Sequence, residues 1–300
     1  MTETVLALVV TYNRLNYLKR CLEFLENQDR KINQILVVNN DSNDGTQQYL
    51  ETKKNINVIK QENLGSAGGW HTGIEYGLKN NFDYIWMMDD DGYPDKSSLK
   101  NLINSFTEAH SCISSVVLNE KLKNLLVFPI PKLNKYNNPV IFSLLRKYNQ
   151  LSIFKKNSME FYNYANLFNG SLISIRSIKK IGNINKNYIL YGDEVDYFYR
   201  LRKIGKVVTC FKSFHYHPDV TKRPININSA YYYLRNSIIL NFKYFDKPIL
   251  RSLLNVIILI FRLFYRNGFF QTLFILFSLK NNIFILSIYH AFIKRLGKFE

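Results

Sequence analysis

Acidic side chains are scarce in this sequence. Its 300 residues carry 23 Asp and Glu against 40 Lys and Arg, a formal net charge of +17. That balance favours phosphate-bearing partners or an anionic membrane surface. The positive charges are scattered, and no recognition motif accompanies them, which argues against nucleic acid. Cysteine is scarce too. Cys21, Cys112 and Cys210 lie far apart with no metal-type spacing, as fits a reduced, cytosolic compartment. There is no cationic stretch opening a signal peptide: Thr2 and Glu3 precede an apolar segment, Val5–Val10, that is too short for one. Uninterrupted apolar runs of bilayer length, about 20 residues, are also missing. The cleanest, Val256–Ile260, gives out at Phe261 and Arg262. The nucleotide fingerprints G-x-G-x-x-G and G-x-x-x-x-G-K are absent as well.

What is present is ample apolar content, 47% of residues, enough for a large core. Val5–Thr11, Ile35–Val38 and Val58–Ile59 read as strands. Leu15, Leu18, Cys21, Leu22 and Leu25 recur at helical spacing between the first two. A polar loop, Asn39–Thr46, precedes a short helix through Tyr49 and Leu50. A glycine-rich loop, Asn63–Gly69, leads into a helix carrying Trp70, Ile74 and Leu78. The alternation predicts a doubly wound, mostly parallel α/β sheet. Residues 119–165, broken by Pro129, Pro131 and Pro139, read as a mobile, partly helical excursion over the site. Leu172–Ile175 and Val207–Phe214 read as strands, and Asp193–Ile204 as a helix.

The chemistry concentrates in two acidic clusters. Tyr84–Met88 is a buried strand that ends in Asp89, Asp90 and Asp91. Three carboxylates in a row cannot all be buried unpaired. At the carboxyl end of a sheet strand they face the crevice where open α/β folds bind ligands. A hard divalent cation carrying a phosphorylated ligand suits such oxygens, and a solvated Asp-Gly turn is the bland alternative. The second cluster, Asp193, Glu194 and Asp196, opens a helix, where capping alone would also explain acids. One of these is suited to proton abstraction. Arg200 stands four residues beyond Asp196, an ion-pair spacing, so Asp196 reads as structural. His215 and His217 share one side of an extended segment, and either imidazole can complete a metal site with Asp91. Glycines before a helix, here Gly68 and Gly69, permit close approach to a phosphate or sugar.

In this order the pieces resemble a family 2 glycosyltransferase with the GT-A fold, in particular bacterial galactofuranosyl- and rhamnosyltransferases of surface polysaccharide synthesis. The carriers are Val9–Arg14, Asn39–Thr46, Glu62–Trp70, Asp89–Asp91, Phe168–Ser171, Tyr191–Asp196 with Arg200, and Tyr233–Asn236. The likeness covers about residues 4–240. It implies inverting, single-displacement transfer from a nucleotide-sugar. Asp89 and Asp91, with His217 or else His215, would hold Mg²⁺ or Mn²⁺. Glu194, or its rival Asp193, would act as base. Thr11, Tyr12, Asn13, Arg14, Asn39, Asp41, Asn63, Gly68, Gly69, Trp70, Asp89 and Asp90 would bind the donor. Two positions depart from the family pattern: Asn39 and Glu194 stand where Asp is frequent. The expected donor is UDP-galactofuranose- or dTDP-rhamnose-like, and the acceptor a glycan or a polyprenyl-diphosphate-linked glycan.

Composition divides the chain into a catalytic unit, residues 1–230 (halves 1–118 and 119–230), and a helical tail, 231–300. From 241 to 300 nine Lys and Arg face two acids among Phe, Leu and Ile. Such helices lie in a membrane interface, which predicts a peripheral enzyme on the cytoplasmic face; packing on the core or on a second copy of the chain is the alternative. Two other functions compete. A nucleotidyltransferase would show a glycine-rich loop with a basic residue after the first strand, unlike Thr11–Arg14. A non-catalytic nucleotide- or glycan-binding protein would not need acids in both clusters.

Overall fold

The structure, a computed structural model, describes residues 3–143, 145–277 and 282–299. Thr2 and, in the tail, residues 278–281 with Lys280 lie outside the described residues. Strand β1, Val5–Thr11, is buried along its whole length, as expected of a parallel strand covered on both faces. Helix α1, Leu15–Glu26, buries Leu18, Cys21, Leu22 and Leu25 on one stripe. There follow β2, Gln34–Asn39, α2, Thr46–Glu51, β3, Ile56–Lys60, α3, Gly65–Lys79, and β4, Tyr84–Asp89. Helix α3 lies unusually close to the sheet. Side chains at Gly69, Gly73 and Gly77 would run into Val10, Leu8 and Ile85, at 2.5, 2.2 and 2.5 Å from an added Cβ.

The chain continues through β5, Tyr93–Pro94, α4, Ser98–Ser105, β6, His110–Asn119, β7, Leu125–Pro131, β8, Lys147–Gln150, α5, Leu151–Lys156, and β9, Phe161–Tyr162. It then forms β10, Asn169–Ser174, α6, Ile175–Ile181, α7, Asp193–Arg202, and β11, Lys206–His217. The sheet order is β3-β2-β1-β4-β10-β6-β11-β5. β10 runs antiparallel to β4 and β6, while β6 and β11 are parallel. The carboxyl ends of β1, β2, β4, β6 and β11 therefore share one edge of the sheet. Residues 119–165, read as a partly helical excursion, hold more strand than expected: β7 pairs with β6 and β8, and among the described residues the helical part is the six-residue α5. Pro129 and Pro131 are accommodated because β7 lies off the main sheet path, where proline costs few ladder hydrogen bonds.

Helices α8, Ile227–Tyr244, α9, Pro248–Asn267, α10, Phe269–Phe277, and α11, Ile283–Phe292, complete the described chain. Contacts cross the boundary read at residue 230. Leu240 of α8 joins the core built on β1, β4 and α7, and Lys243 and Tyr244 bind Asp196 of α7 at 2.7 Å each. α9 is one continuous 20-residue helix, and an 18-residue stretch of it has mean hydropathy 1.7, so that it is long and apolar enough by length and composition to cross a membrane. Arg251 and Arg262 interrupt the apolar run in sequence, but they do not break the helix. Only 11% of this stretch is buried. Its face Leu253, Ile257, Phe261 and Tyr265 is exposed at four-residue intervals, while Leu259 and Leu263 pack with Leu234 and Ile238 of α8.

Candidate active site

The shared edge of the sheet carries the first acidic cluster. β4 delivers Asp89, Asp90 and Asp91, and register places Asp89 beside Val10 of β1. Asp91 is 2% exposed and heavily partnered. His217 Nε2 lies 2.9 Å from its Oδ1, and Arg14 and Arg223 reach its Oδ2 at 2.8 and 2.9 Å. Burial works against the charged carboxylate. The bond and charge of His217, with Arg14 and Arg223, prevail and hold Asp91 well below the usual carboxylate range. Asp90 faces inward. It accepts the Thr11 hydroxyl at 2.7 Å and Arg14 at 3.1 Å, and burial pushes it up to about 6 against the pull of Arg14. Asp89 stays partly open to the cleft. Burial, then the charges of Asp91 and Asp90, push it well above the ordinary range; Arg14 opposes, and Glu194 adds to the rise.

The turn before the second cluster packs on the start of α3, with the Ala67 N–H on the Ile189 carbonyl at 3.2 Å. Asp193 and Glu194 open α7 directly after the turn at Gly192, whose φ is +86°. Asp193 is 2% exposed, and its Oδ2 has no partner among the described residues. Burial first, then Glu194, with Asp89 also contributing, raises its carboxyl well above the usual range. Glu194 is part-exposed. Asp196 is anchored: Arg200, Lys243 and Tyr244 donate to it at 2.8, 2.7 and 2.7 Å.

The remaining expected donor contacts divide by exposure. Tyr12, Asn13, Asp41 and part of Arg14 are open to solvent at the ends of β1 and β2. Asn63 is half-buried and accepts the Gly65 N–H at 3.0 Å. Thr11, Asn39, Asp90, Gly68, Gly69, Trp70 and His215, also read as site residues, are buried in this structure. Thr11 and Asp90 are buried against each other and position Arg14. Asn39 is fully buried and spends its amide on Gln47 Oε1 and the Ser42 N–H, at 2.8 and 3.0 Å. Gly68 and Gly69 are buried against Leu64 and Val10, and Trp70 stacks on Phe168 at 4.8 Å. His215 sits beneath Gly92, its Nε2 2.2 Å from where a Cβ would lie, rather than on Asp91. Burial, then the charge of His217, lowers its pKa to about 3, so it is neutral.

Sequence reasoning missed Arg223 and Arg20. Arg20 donates to the Asp91 carbonyl at 3.1 Å, pairs with Glu120 at 2.7 Å and lies over the Tyr93 ring. Neither carried a signal, because both reach the site from elements distant in sequence.

For a divalent metal the donor set fits in chemistry: two carboxylates, Asp89 and Asp91, and the imidazole of His217 suit Mg²⁺ or Mn²⁺. Crowding of Asp89 by Asp91 and Asp90 is the strain a cation relieves. The set is not pre-assembled. Among the described residues no three of His, Cys, Asp and Glu are gathered closely enough to hold an ion, and two arginines now occupy Asp91.

The profile of the family described as Glycosyl transferase family 2 matches residues 7–165. A galactofuranosyltransferase, GlfT1 of Mycolicibacterium smegmatis, is 30% identical over 223 residues, 72% of each chain. The chain belongs to glycosyl transferase family 2. As a glycosyltransferase it has the sheet of solved enzymes with the GT-A fold. Staphylococcus aureus TarS (residues 1–349) superposes with a TM-score of 0.56 at 14% identity, over 96% of this chain and 80% of that one. GalNAc-T7, solved with UDP, GalNAc and Mn²⁺, superposes with a TM-score of 0.60 at 11% identity, over 82% of this chain and 49% of that one.

Proposed function

We propose that this glycosyltransferase inverts the anomeric centre as it moves a sugar from a UDP-galactofuranose- or dTDP-rhamnose-like donor to a glycan or polyprenyl-diphosphate-linked glycan of surface polysaccharide. The observation that carries this reading is the acid cluster closing β4, with Asp91 held by His217 and Arg14, together with the second cluster that opens α7. The galactofuranosyltransferase relative supports the choice of donor. Glu194 removes the proton of the acceptor hydroxyl, whose oxygen attacks the anomeric carbon while the bond to the nucleotide diphosphate breaks. Asp193 is the poorer base, because it is sealed beneath the turn at 2% exposure, out of reach of an acceptor hydroxyl in the cleft. Asp89, Asp91 and His217 would hold Mg²⁺ or Mn²⁺, which supplies charge neutralisation for the departing diphosphate. Arg14 and Arg223, already drawn to these acids, supply further positive charge, and Tyr12, Asn13, Asp41 and Asn63 border the nucleotide.

The enzyme works at the cytoplasmic leaflet, held by the exposed apolar face of α9, α10 and α11 and by the tail's basic residues. Apolar burial and attraction to anionic lipid act together there. Thermal unfolding with a panel of nucleotide-sugars, with and without Mn²⁺, tests the reading. One sugar nucleotide should raise the melting temperature in a Mn²⁺-dependent way. No stabilisation by any member, together with no donor hydrolysis, overturns it.

A further inference from the structure

The turn that delivers Asp193 and Glu194 is conformationally unusual. Ile189, Tyr191 and Gly192 have φ of +66°, +60° and +86°, three positive-φ residues within four, and Ile189, with ψ −61°, sits at the centre of a γ-turn closed by the Leu190 N–H on the Tyr188 carbonyl at 2.8 Å. A β-branched residue in that region is an outlier that only surrounding structure can maintain. The surrounding structure here is α8. Asn236, fully buried, aims its amide nitrogen at the carbonyls of Tyr188, Leu190 and Tyr191, at 3.1, 3.0 and 2.7 Å. Its Oδ1 accepts Arg235 Nε at 2.8 Å, which fixes the amide's orientation. Arg235, 1% exposed, also donates to the Tyr188 and Gly297 carbonyls at 3.2 and 2.8 Å. Its guanidinium lies over the rings of Tyr231 and Tyr232 at 5.3 and 5.0 Å. Among the described residues it has no carboxylate partner within 4 Å. A buried guanidinium serving carbonyls and aromatic faces is expensive to keep, which makes plain packing a poor explanation. Gly192 completes the seat: a Cβ there would stand 3.0 Å from that of Asn236.

We infer that Arg235 and Asn236 are positioning residues which hold the 188–192 turn in its positive-φ conformation and thereby fix the start of α7, with Asp193 buried beneath the turn and the Glu194 carboxylate in the cleft. Both act through the backbone and touch neither donor nor acceptor. The inference rests on the proposed transfer reaction for its kinetic consequence, but not for its structural one. With the three carbonyls released, the turn relaxes toward ordinary φ, the start of α7 rotates, and Glu194 loses its line to the acceptor. The donor residues on β1, β2 and β4 are left as they were, and the turn's link to the loop of Asn63 is the Ala67 N–H on the Ile189 carbonyl at 3.2 Å.

The test compares Asn236→Ala, Arg235→Lys and Ile238→Ala in the full-length protein. Ile238 lies on the same helix but packs toward α9 and α11, so it controls for lost stability. Asn236→Ala should lower kcat about 100-fold, the scale of a small misplacement of a catalytic group, with the donor dissociation constant changed less than about threefold. Arg235→Lys, which keeps the charge but frees the Asn236 amide to turn, should fall between. Ile238→Ala should lose melting temperature with kcat nearly unchanged below its transition. Amide hydrogen exchange across 186–197 should quicken in Asn236→Ala and not in Ile238→Ala. Equal falls of kcat in Asn236→Ala and Ile238→Ala, or unaltered exchange in Asn236→Ala, overturn the inference. If Asn236→Ala does not fold, Asn236→Gln, which retains the donor group, takes its place: faster exchange with reduced kcat supports the inference, and wild-type values of both overturn it. A wild-type protein that turns over no donor, while exchange still responds as expected, refutes the reaction and leaves the positioning role standing.

Discussion

Asp193 and Glu194 are neighbours in the chain and occupy opposite environments. One is sealed under the turn with a bare oxygen, and the other opens to the cleft. Glu194→Gln should lower kcat by about 10²–10⁴ with donor affinity kept, because it removes a base and little volume. Asp193→Asn should cost much less. Steady-state kinetics with parallel donor titration checks both, and the reverse ranking would show that the base is Asp193. Arg223 competes with any cation for Asp91. Its side chain is 37% exposed, so the pair is weak, and Arg223→Ala should tighten Mn²⁺ binding by about two- to fivefold in the absence of donor. Looser Mn²⁺ binding by titration calorimetry would mean that Arg223 is not a competitor. Neither the seal on Asp193 nor the arrival of Arg223 was legible in the sequence. The acid runs were, because consecutive carboxylates have few structural uses.

Between elements, α7 and α8 are joined through Asp196. Its burial is outweighed by bonds from Lys243 and Tyr244 and the charge of Arg200, so its pKa is lowered. A depressed carboxylate adds stability above its unfolded pKa, about 3.9, and loses it as pH falls through the lower folded value. Asp196→Asn should therefore destabilise by about 1–2 kcal/mol at pH 7, with Lys243 and Arg200 re-solvated, and the deficit should shrink below about pH 4. A melting-temperature difference independent of pH would count against this. The spacing of Asp196 and Arg200 announced half of the contact; Lys243 and Tyr244 gave no local sign. α9 shows the opposite case. Its apolar stripe was visible, but its continuity was hidden by Arg251 and Arg262. Ile257→Glu with Phe261→Glu should cut binding to vesicles containing anionic lipid at least about tenfold, each charge being costly in the interface. Moderate salt should weaken wild-type binding without abolishing it. Unchanged vesicle sedimentation of the double variant would assign this face to contacts other than lipid.

At the scale of the molecule, the tail is tied to the catalytic unit by contacts. Gly297 accepts from Arg235 and donates to the Asn187 carbonyl at 2.8 Å, so the chain's end returns to the turn before the acids. Truncation from residue 249 would also uncover Leu234 and Ile238 by removing Leu259, Leu263 and Ile283. The truncated protein should melt several degrees lower, the scale of a few kcal/mol in a chain of this size. It should also lose kcat in excess of donor affinity. Equal thermal stability of the full-length and truncated proteins would support the boundary near 230.

The sequence alone determined the alternation of strand and helix, because buried parallel strands must be continuously apolar and their covering helices must carry one apolar stripe. It also determined the two acid clusters and their placement at element ends, since Asp89–Asp91 close a strand and Asp193–Glu194 open a helix. Tertiary structure decided which of those side chains face the cleft. Thr11, Asn39, Asp90 and Trp70 turned inward because local pattern does not record the rotation of a residue at the end of its strand or helix. It also decided that His217 rather than His215 meets Asp91, and that Asn236 and Arg235 belong with a turn more than forty residues earlier. Such contacts arise from the packing of elements remote in the chain, which no local periodicity encodes.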